Sequence, residues 1–163
     1  MTELNDLPIR DSLRGRTPYG APQLHVPVAL NVNENTHELS EEILVDVIRR
    51  IAESLSTINR YPDREFTALR ELLAVYVGHG LSSKNIWAAN GSNEIIQSIF
   101  LAFAQGPVLG FTPSYSMHPL IAKTTGAQWI DGKRNTDFSL NTTDAIAEIQ
   151  KNRPTLTFIT TPN

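Results

Sequence analysis

Apolar residues recur at helical spacing through residues 40–80. Ser40 is a suitable helix N-cap, and acidic residues follow it in the first turn. The apolar positions of this first helix are Ile43, Leu44, Val47, Ile48, Ile51 and Leu55. After a loop at Asn59–Asp63, the spacing resumes at Phe66, Leu69, Leu72, Leu73 and Tyr76. Gly78 and Gly80 end it, so the pattern predicts two helices in a helical segment, 40–80.

Beyond Leu81, short apolar runs alternate with helical ones. The predicted strands are Ile86–Ala89, Val108–Phe111, Gln128–Asp131 and Leu156–Thr160. The predicted helices are Asn93–Ala104, Ser116–Thr125 and Thr143–Lys151. This alternation is typical of βα units around a mostly parallel sheet, so residues 81–163 are predicted to form an α/β domain.

Residues 1–39 form a third segment, predicted to be an irregular arm. Four prolines, at positions 8, 18, 22 and 27, oppose helix formation. Arg10, Arg14 and Arg16 are spaced along the arm, where charged side chains are usually solvated. An arm of this length is expected to dock on another part of the protein.

Composition narrows the function classes. The chain has 163 residues, 40% of them hydrophobic, which is typical of a folded domain rather than a disordered one. A net charge of −3 argues against nucleic-acid binding, and the absence of cysteine excludes disulfides and thiolate chemistry. The N-terminus lacks the apolar region of a signal peptide, and no apolar run is long enough for a membrane span. A soluble, cytoplasmic protein is expected.

The last predicted strand runs directly into Thr161-Pro162-Asn163. In an α/β sheet, a strand is normally followed by a loop and a crossover helix. We therefore expect this sequence to be part of a longer protein.

The turn after the first predicted strand is a candidate phosphate site. Gly91 permits a tight turn, and Ser92 is predicted to cap the helix that follows. The amides of residues 92–94 would then point outward, and free amides at the positive end of a helix bind phosphate without a basic side chain. The alternative is that Gly91-Ser92-Asn93-Glu94 only starts a helix, since the P-loop and dinucleotide spacings are absent.

Two more strand-end turns lie at the same predicted edge, where α/β proteins bind ligands. Tyr115 could stack on a planar ring, or could simply cover the strand end. Asn163 could bond to a ring substituent, or could only form a turn. Together the three turns suit a flat phosphorylated cofactor, either a nucleotide or pyridoxal phosphate.

An ordered set of motifs along nearly the whole chain resembles the histidinol-phosphate aminotransferases, a branch of the fold type I pyridoxal-phosphate enzymes. The motifs are Leu13-Arg14-Gly15, Pro18-Tyr19, residues 30–35, Arg60-Tyr61-Pro62-Asp63, Leu69-Arg70, Gly91-Ser92-Asn93-Glu94, Pro113-Ser114-Tyr115 and Pro162-Asn163. The resemblance implies an α/β fold in which the arm and helices precede the first half of the large pyridoxal-phosphate-binding domain. It implies the activity as well, transamination between histidinol phosphate and 2-oxoglutarate in histidine biosynthesis.

The resemblance also implies roles for single residues. Gly91, Ser92, Asn93 and Glu94 would hold the cofactor phosphate, and Tyr115 would stack on the pyridine ring. Tyr61 would cross a homodimer interface to the phosphate in the neighbouring subunit, although without the resemblance it is an ordinary exposed loop residue. Tyr19 and Asn33 would bind the amino-acid substrate from the arm.

The resemblance places no catalytic residue within this chain. In similar enzymes the lysine that carries the cofactor lies beyond residue 163, and none of Lys84, Lys123, Lys133 and Lys151 lies in a matching motif. The chain alone is therefore expected to be inactive. His25, His37, His79 and His118 lack metal-ligand spacing, so no metal is expected. Thr36 stands where these enzymes usually have proline, which puts the rigidity of that turn in doubt.

Other functions stay open at this stage. An aromatic amino-acid aminotransferase or a phosphothreonine decarboxylase would share most of these motifs. A noncatalytic domain that binds a nucleotide at the Gly91 turn is a different class, and a chain that serves only in dimer contact is a third.

Overall fold

The computed structural model describes residues 6–17, 20, 22–29 and 31–161. Its helices are α1 (Glu41–Ser54), α2 (Thr67–Val77), α3 (Ser92–Phe103), α4 (Met117–Thr125) and α5 (Thr142–Asn152). Its strands are β1 (Val108–Thr112), β2 (Trp129–Lys133) and β3 (Leu156–Phe158). Short 3-10 helices cover Asp11–Leu13, Leu55–Thr57 and Ser83–Asn85. The five predicted helices are confirmed, with ends that move by one or two residues.

The strands form a parallel sheet in the order β2-β1-β3. In the register, Val108 lies beside Trp129 on one side and beside Leu156 on the other. β1 is therefore the central strand, and its first four residues are buried. Strands of a parallel sheet that is covered on both faces are expected to be continuously apolar, which agrees with the run Val-Leu-Gly-Phe.

Two apolar clusters cover the two faces of the sheet. On one face, Val108 packs with Phe100 of α3 and with Ile121 and Ala122 of α4. On the other face, Leu109 and Phe111 pack with Ala145 of α5. Each large apolar side chain buried in this way contributes about 1.5–3 kcal/mol to stability. The result is a helix-sheet-helix sandwich, as the α/β prediction requires.

The chain forms two compact units, each with most of its contacts within itself. The sheet unit comprises the described residues of 6–16 together with 88–161, and the helical unit comprises those of 17–87. The first part of the arm thus belongs to the sheet unit, where Arg10 donates to the carbonyl of Thr124 in α4 at 3.3 Å. The expected docking of the arm is observed for these residues. The division into 1–39, 40–80 and 81–163 stays a prediction for the whole protein.

Arg70 organises the helical unit. Its Nε donates to the carbonyls of Ser83 and Ile86 at 2.9 and 2.8 Å, and its guanidinium lies 5.4 Å from the ring centre of Trp87. Trp87 also packs on Phe66. In α1, by contrast, no residue is buried, although the Ser40 hydroxyl caps the helix as predicted by accepting from the amide of Ile43.

The predicted strand at Ile86–Ala89 is wrong. Ile86 has extended dihedral angles, but among the described residues nothing pairs with residues 86–89 as a strand. A strand exists only through hydrogen bonds to a neighbour, and here the carbonyl of Ile86 accepts from Arg70. The last strand is also shorter than predicted, since it ends at Phe158, opposite Gly110 of β1.

No helix in the described part of the chain is both long enough and apolar enough to cross a membrane.

Gly110 leaves the space that the indole of Trp129 fills. A Cβ added at Gly110 would collide with the Trp129 ring. We therefore expect Gly110→Ala to lower the free energy of unfolding by about 1–3 kcal/mol, as in other overpacked cores. Chemical denaturation checks this, with Gly20→Ala as the control because its added Cβ meets nothing within 4 Å. Equal stability of the two variants would contradict the packing argument.

Candidate cofactor site

Gly91 shapes the turn at the start of α3. Its φ of 83° and ψ of 168° lie in a region that residues with a side chain rarely enter, and a Cβ there would meet nothing within 4 Å. Gly91 is the N-cap of α3, and no side chain caps the helix. The prediction that Ser92 is the cap is therefore wrong. Ser92 is instead the first helical residue, because the unusual angles at Gly91 already turn the chain into the helix.

Glu94 closes the turn. Its carboxylate accepts from the amide of Asn90 at 2.7 Å, four residues back. An acidic side chain in the first turn also interacts favourably with the positive end of the helix dipole. The carboxylate is thus bonded to the residue before Gly91 and not to the first amides of the helix. Those amides face outward.

The amides of Ser92, Asn93 and Glu94 have no acceptor among the described residues. The first amides of any α-helix lack an internal partner, and they carry the positive end of the helix dipole. Ser92 is exposed, so its hydroxyl can add a fourth donor. This donor set fits a phosphate group.

Tyr115 lies beside this turn. Its hydroxyl donates to Oδ1 of Asn93 at 3.0 Å, which joins the turn after β1 to the start of α3. The side chain is 41% exposed, so part of the ring is open to a ligand. The structure thus brings together Tyr115 and the predicted phosphate residues, at the carboxyl end of the sheet. An anion at the helix and a planar ring on the tyrosine would fit this arrangement.

His118 packs against Tyr115. The two rings meet edge to face at 5.4 Å, and the imidazole also packs on Phe158 and Trp129. His118 is buried, and this burial lowers the pKa of its imidazole below the ordinary histidine value. The histidine is therefore neutral in the folded protein near pH 7. Sequence reasoning assigned it only a structural or exposed role.

Two of the remaining predicted residues belong to the helical unit. Tyr61 belongs to the helical unit and is fully exposed, and Asn33 is an exposed residue of the same unit. Tyr19 and Asn163 fall outside the described residues. Two of the arm arginines make local contacts: Arg14 pairs with Asp11, and Arg16 donates to the carbonyl of Ser12.

Sequence reasoning missed Arg134. Its side chain donates to the carbonyls of Phe111, Phe138 and Thr160, at 3.3, 3.0 and 2.9 Å. Beside it, the hydroxyls of Ser114 and Thr160 are 2.7 Å apart. The only sequence signal was an arginine three residues after the predicted strand Gln128–Asp131, at the edge where ligands bind. Its partners are backbone carbonyls, which no side-chain pattern reveals.

Comparison with known proteins identifies relatives of this chain. The family model for aminotransferase class I and II matches residues 26–163. The chain is 51% identical to the histidinol-phosphate aminotransferase of Thermobifida fusca and 49% identical to that of Paenarthrobacter aurescens, over 98% and 100% of its own length. It spans only 44% of the length of either relative.

A solved structure gives the same fold. The histidinol-phosphate aminotransferase of Clostridium acetobutylicum matches with a TM-score of 0.55 and 21% identity. The match covers 71% of this chain and 34% of that one. The predicted fold class, the first part of a fold type I enzyme, is confirmed at this level.

We expect acid to destabilise the protein partly through His118. A base whose pKa is lower in the folded than in the unfolded state takes up protons on unfolding, so the free energy of unfolding falls as pH drops below about 6.5. His118→Phe keeps a ring in place and should flatten this part of the pH dependence, as measured by denaturation between pH 5 and 8. Exposed His25→Phe is the control. An unchanged acid slope in His118→Phe would refute the assignment.

Proposed function

Because the chain belongs to the aminotransferase class I and II family, we propose that the whole protein is a pyridoxal-phosphate-dependent aminotransferase. The observation that carries this proposal is the start of α3, where three amides that have no acceptor among the described residues lie beside Tyr115. A phosphate and an adjoining aromatic ring are the two parts of pyridoxal phosphate that a protein must hold. When bound, this cofactor supplies an electron sink for chemistry at the α-carbon of an amino acid.

In the proposed site, the amides of Ser92, Asn93 and Glu94 bind the cofactor phosphate, together with the Ser92 hydroxyl. Gly91 sets the direction of the turn, and the Glu94 carboxylate keeps it closed through Asn90. The ring of Tyr115 stacks on the pyridine. His118 stays neutral behind that ring, so it adds no charge to the site.

The proposed substrate pair is histidinol phosphate and 2-oxoglutarate. The support is the name that both similar bacterial proteins carry, at about half identity over nearly the whole chain. We further propose a homodimer in which Tyr61 binds the cofactor phosphate of the neighbouring subunit. Full exposure of Tyr61 on its own chain is compatible with a contact made outside it. Tyr19 and Asn33 are proposed to contact the amino-acid substrate.

The residues of this chain are proposed to bind and orient, and not to transfer protons. Lys84 is in a 3-10 helix of the helical unit, Lys123 is in α4, Lys133 is the last residue of β2, and Lys151 pairs with Glu148 on α5. In the described part of the chain, none of these lysines hydrogen-bonds to the start of α3 or to Tyr115. The lysine that carries the cofactor is therefore assigned to the part of the relatives that this chain does not span.

An assay of the full-length protein tests the function. We expect it to bind pyridoxal phosphate with yellow absorbance and to transaminate histidinol phosphate with 2-oxoglutarate, with a higher kcat/KM than for phenylalanine. The 163-residue chain alone should show no turnover. Preference for phenylalanine would favour an aromatic aminotransferase. Binding of ATP without binding of pyridoxal phosphate would refute the proposal and favour a nucleotide-binding domain.

Gly91→Ala tests the phosphate turn in the same full-length protein. The backbone angles of Gly91 cost an alanine roughly 1–3 kcal/mol, so the turn should distort and the apparent Kd for pyridoxal phosphate should rise about tenfold or more. Gly126→Ala is the matched control, because Gly126 has a positive φ of 82° at the C-terminal end of α4, whereas Tyr115 lies just before the first residue of that helix. A similar Kd in both variants would argue against this turn as the phosphate site.

A further inference from the structure

Arg134 joins three segments at the carboxyl end of the sheet. Its amide donates to the carbonyl of Thr112 at 3.2 Å, and its Nε donates to that of Phe111. A terminal nitrogen reaches the carbonyl of Thr160, two residues beyond the end of β3. The guanidinium is therefore a bridge between the ends of β1 and β3. The other terminal nitrogen fixes the turn after β2 through Phe138.

A second contact joins the same two strand ends. The hydroxyls of Ser114 and Thr160 lie 2.7 Å apart, and this pair is partly buried. Ser114 directly precedes Tyr115, whose hydroxyl bonds to Asn93. The contacts therefore continue from Arg134 through Thr160 and Ser114 to the aromatic residue and then to the first turn of α3.

The geometry points to Arg134 as a positioning residue for the cofactor. It fixes the position of the turn after β1. The distance between the Tyr115 ring and the amides at the start of α3 is thereby kept constant. Arginine suits this task because its planar guanidinium can donate to several carbonyls at fixed angles, which a lysine ammonium cannot do. This inference rests on the proposed function and adds a residue that does not itself touch the cofactor.

The guanidinium of Arg134 donates to backbone carbonyls rather than to a carboxylate. In the described part of the chain it forms no salt bridge, while its side chain contacts three carbonyl oxygens. Hydrogen bonds from a charged donor are stronger than neutral ones, and leaving a partly buried carbonyl unpaired is costly. Substitution should therefore move the backbone of the strand ends and not only remove one contact.

The test measures pyridoxal phosphate affinity in the full-length protein by the absorbance of the bound cofactor. We expect Arg134→Lys to raise the apparent Kd about tenfold, and Ser114→Ala to raise it about threefold. The control is Arg153→Lys, the same substitution at an exposed arginine whose side chain makes no hydrogen bond in the described part of the chain. The control should leave the Kd within about twofold of the wild-type value.

A double-mutant cycle separates positioning from general stability. If Arg134 acts through the tyrosine, then in a Tyr115→Ala background Arg134→Lys should change the Kd by less than about twofold. The circular dichroism of the bound cofactor should also change in Arg134→Lys, because the stacking ring moves. An unchanged Kd in both Arg134→Lys and Ser114→Ala would overturn the inference. A tenfold effect that persists without the tyrosine would overturn it as well.

Three further outcomes are distinguishable. If Arg134→Lys does not fold, Ser114→Ala decides, because removal of one hydroxyl leaves the apolar core intact. If the wild-type protein does not bind pyridoxal phosphate, the proposed function fails and the inference fails with it. If the wild type binds the cofactor and the variants bind equally well, only the inference fails.

Discussion

The position of β1 is the constraint on which the rest of the sheet unit depends. This strand is hydrogen-bonded to a neighbour on each side and covered by helices on each face. Val108 and Leu109 are completely buried, on opposite faces. Since β1 cannot shift without disturbing both apolar clusters, the turn that follows it is held firmly. Tyr115 therefore projects from a firmly held turn at the carboxyl end of the sheet.

The helices could be predicted from sequence because each carries its own signal. Ser40 and Asn141 cap helices locally, and Gly78 and Gly126 end them. The strands depend on partners as well as on composition. Residues 108–112 pair with two strands, whereas residues 86–89 have the same apolar character and pair with none in the part of the chain that the structure describes. Their pairing is a tertiary property, and no local pattern specifies it.

The candidate site was predictable in part for a similar reason. Tyr115 follows β1 at the edge where ligands bind, Gly91 precedes α3 in a turn that only its glycine and the helix after it indicated, and family motifs named the same residues. The exact cap of α3 was not predictable, because Gly91 performs by backbone angle what Ser92 was expected to perform with its hydroxyl. Arg134 was missed because its side-chain partners are backbone carbonyls, two of which lie more than 20 residues away. Such contacts exist only after the sheet has formed.

The tryptophans have a consequence for experiment. The chain has two: Trp129 packs on the sheet near His118 and Phe158, while Trp87 lies against Arg70 in the other compact unit. Each unit therefore contains one tryptophan, and the two indoles lie in different environments. Replacing either indole by phenylalanine would give a protein whose tryptophan emission follows one unit alone. The melting of the sheet and that of the helical segment could then be recorded separately, without an attached dye.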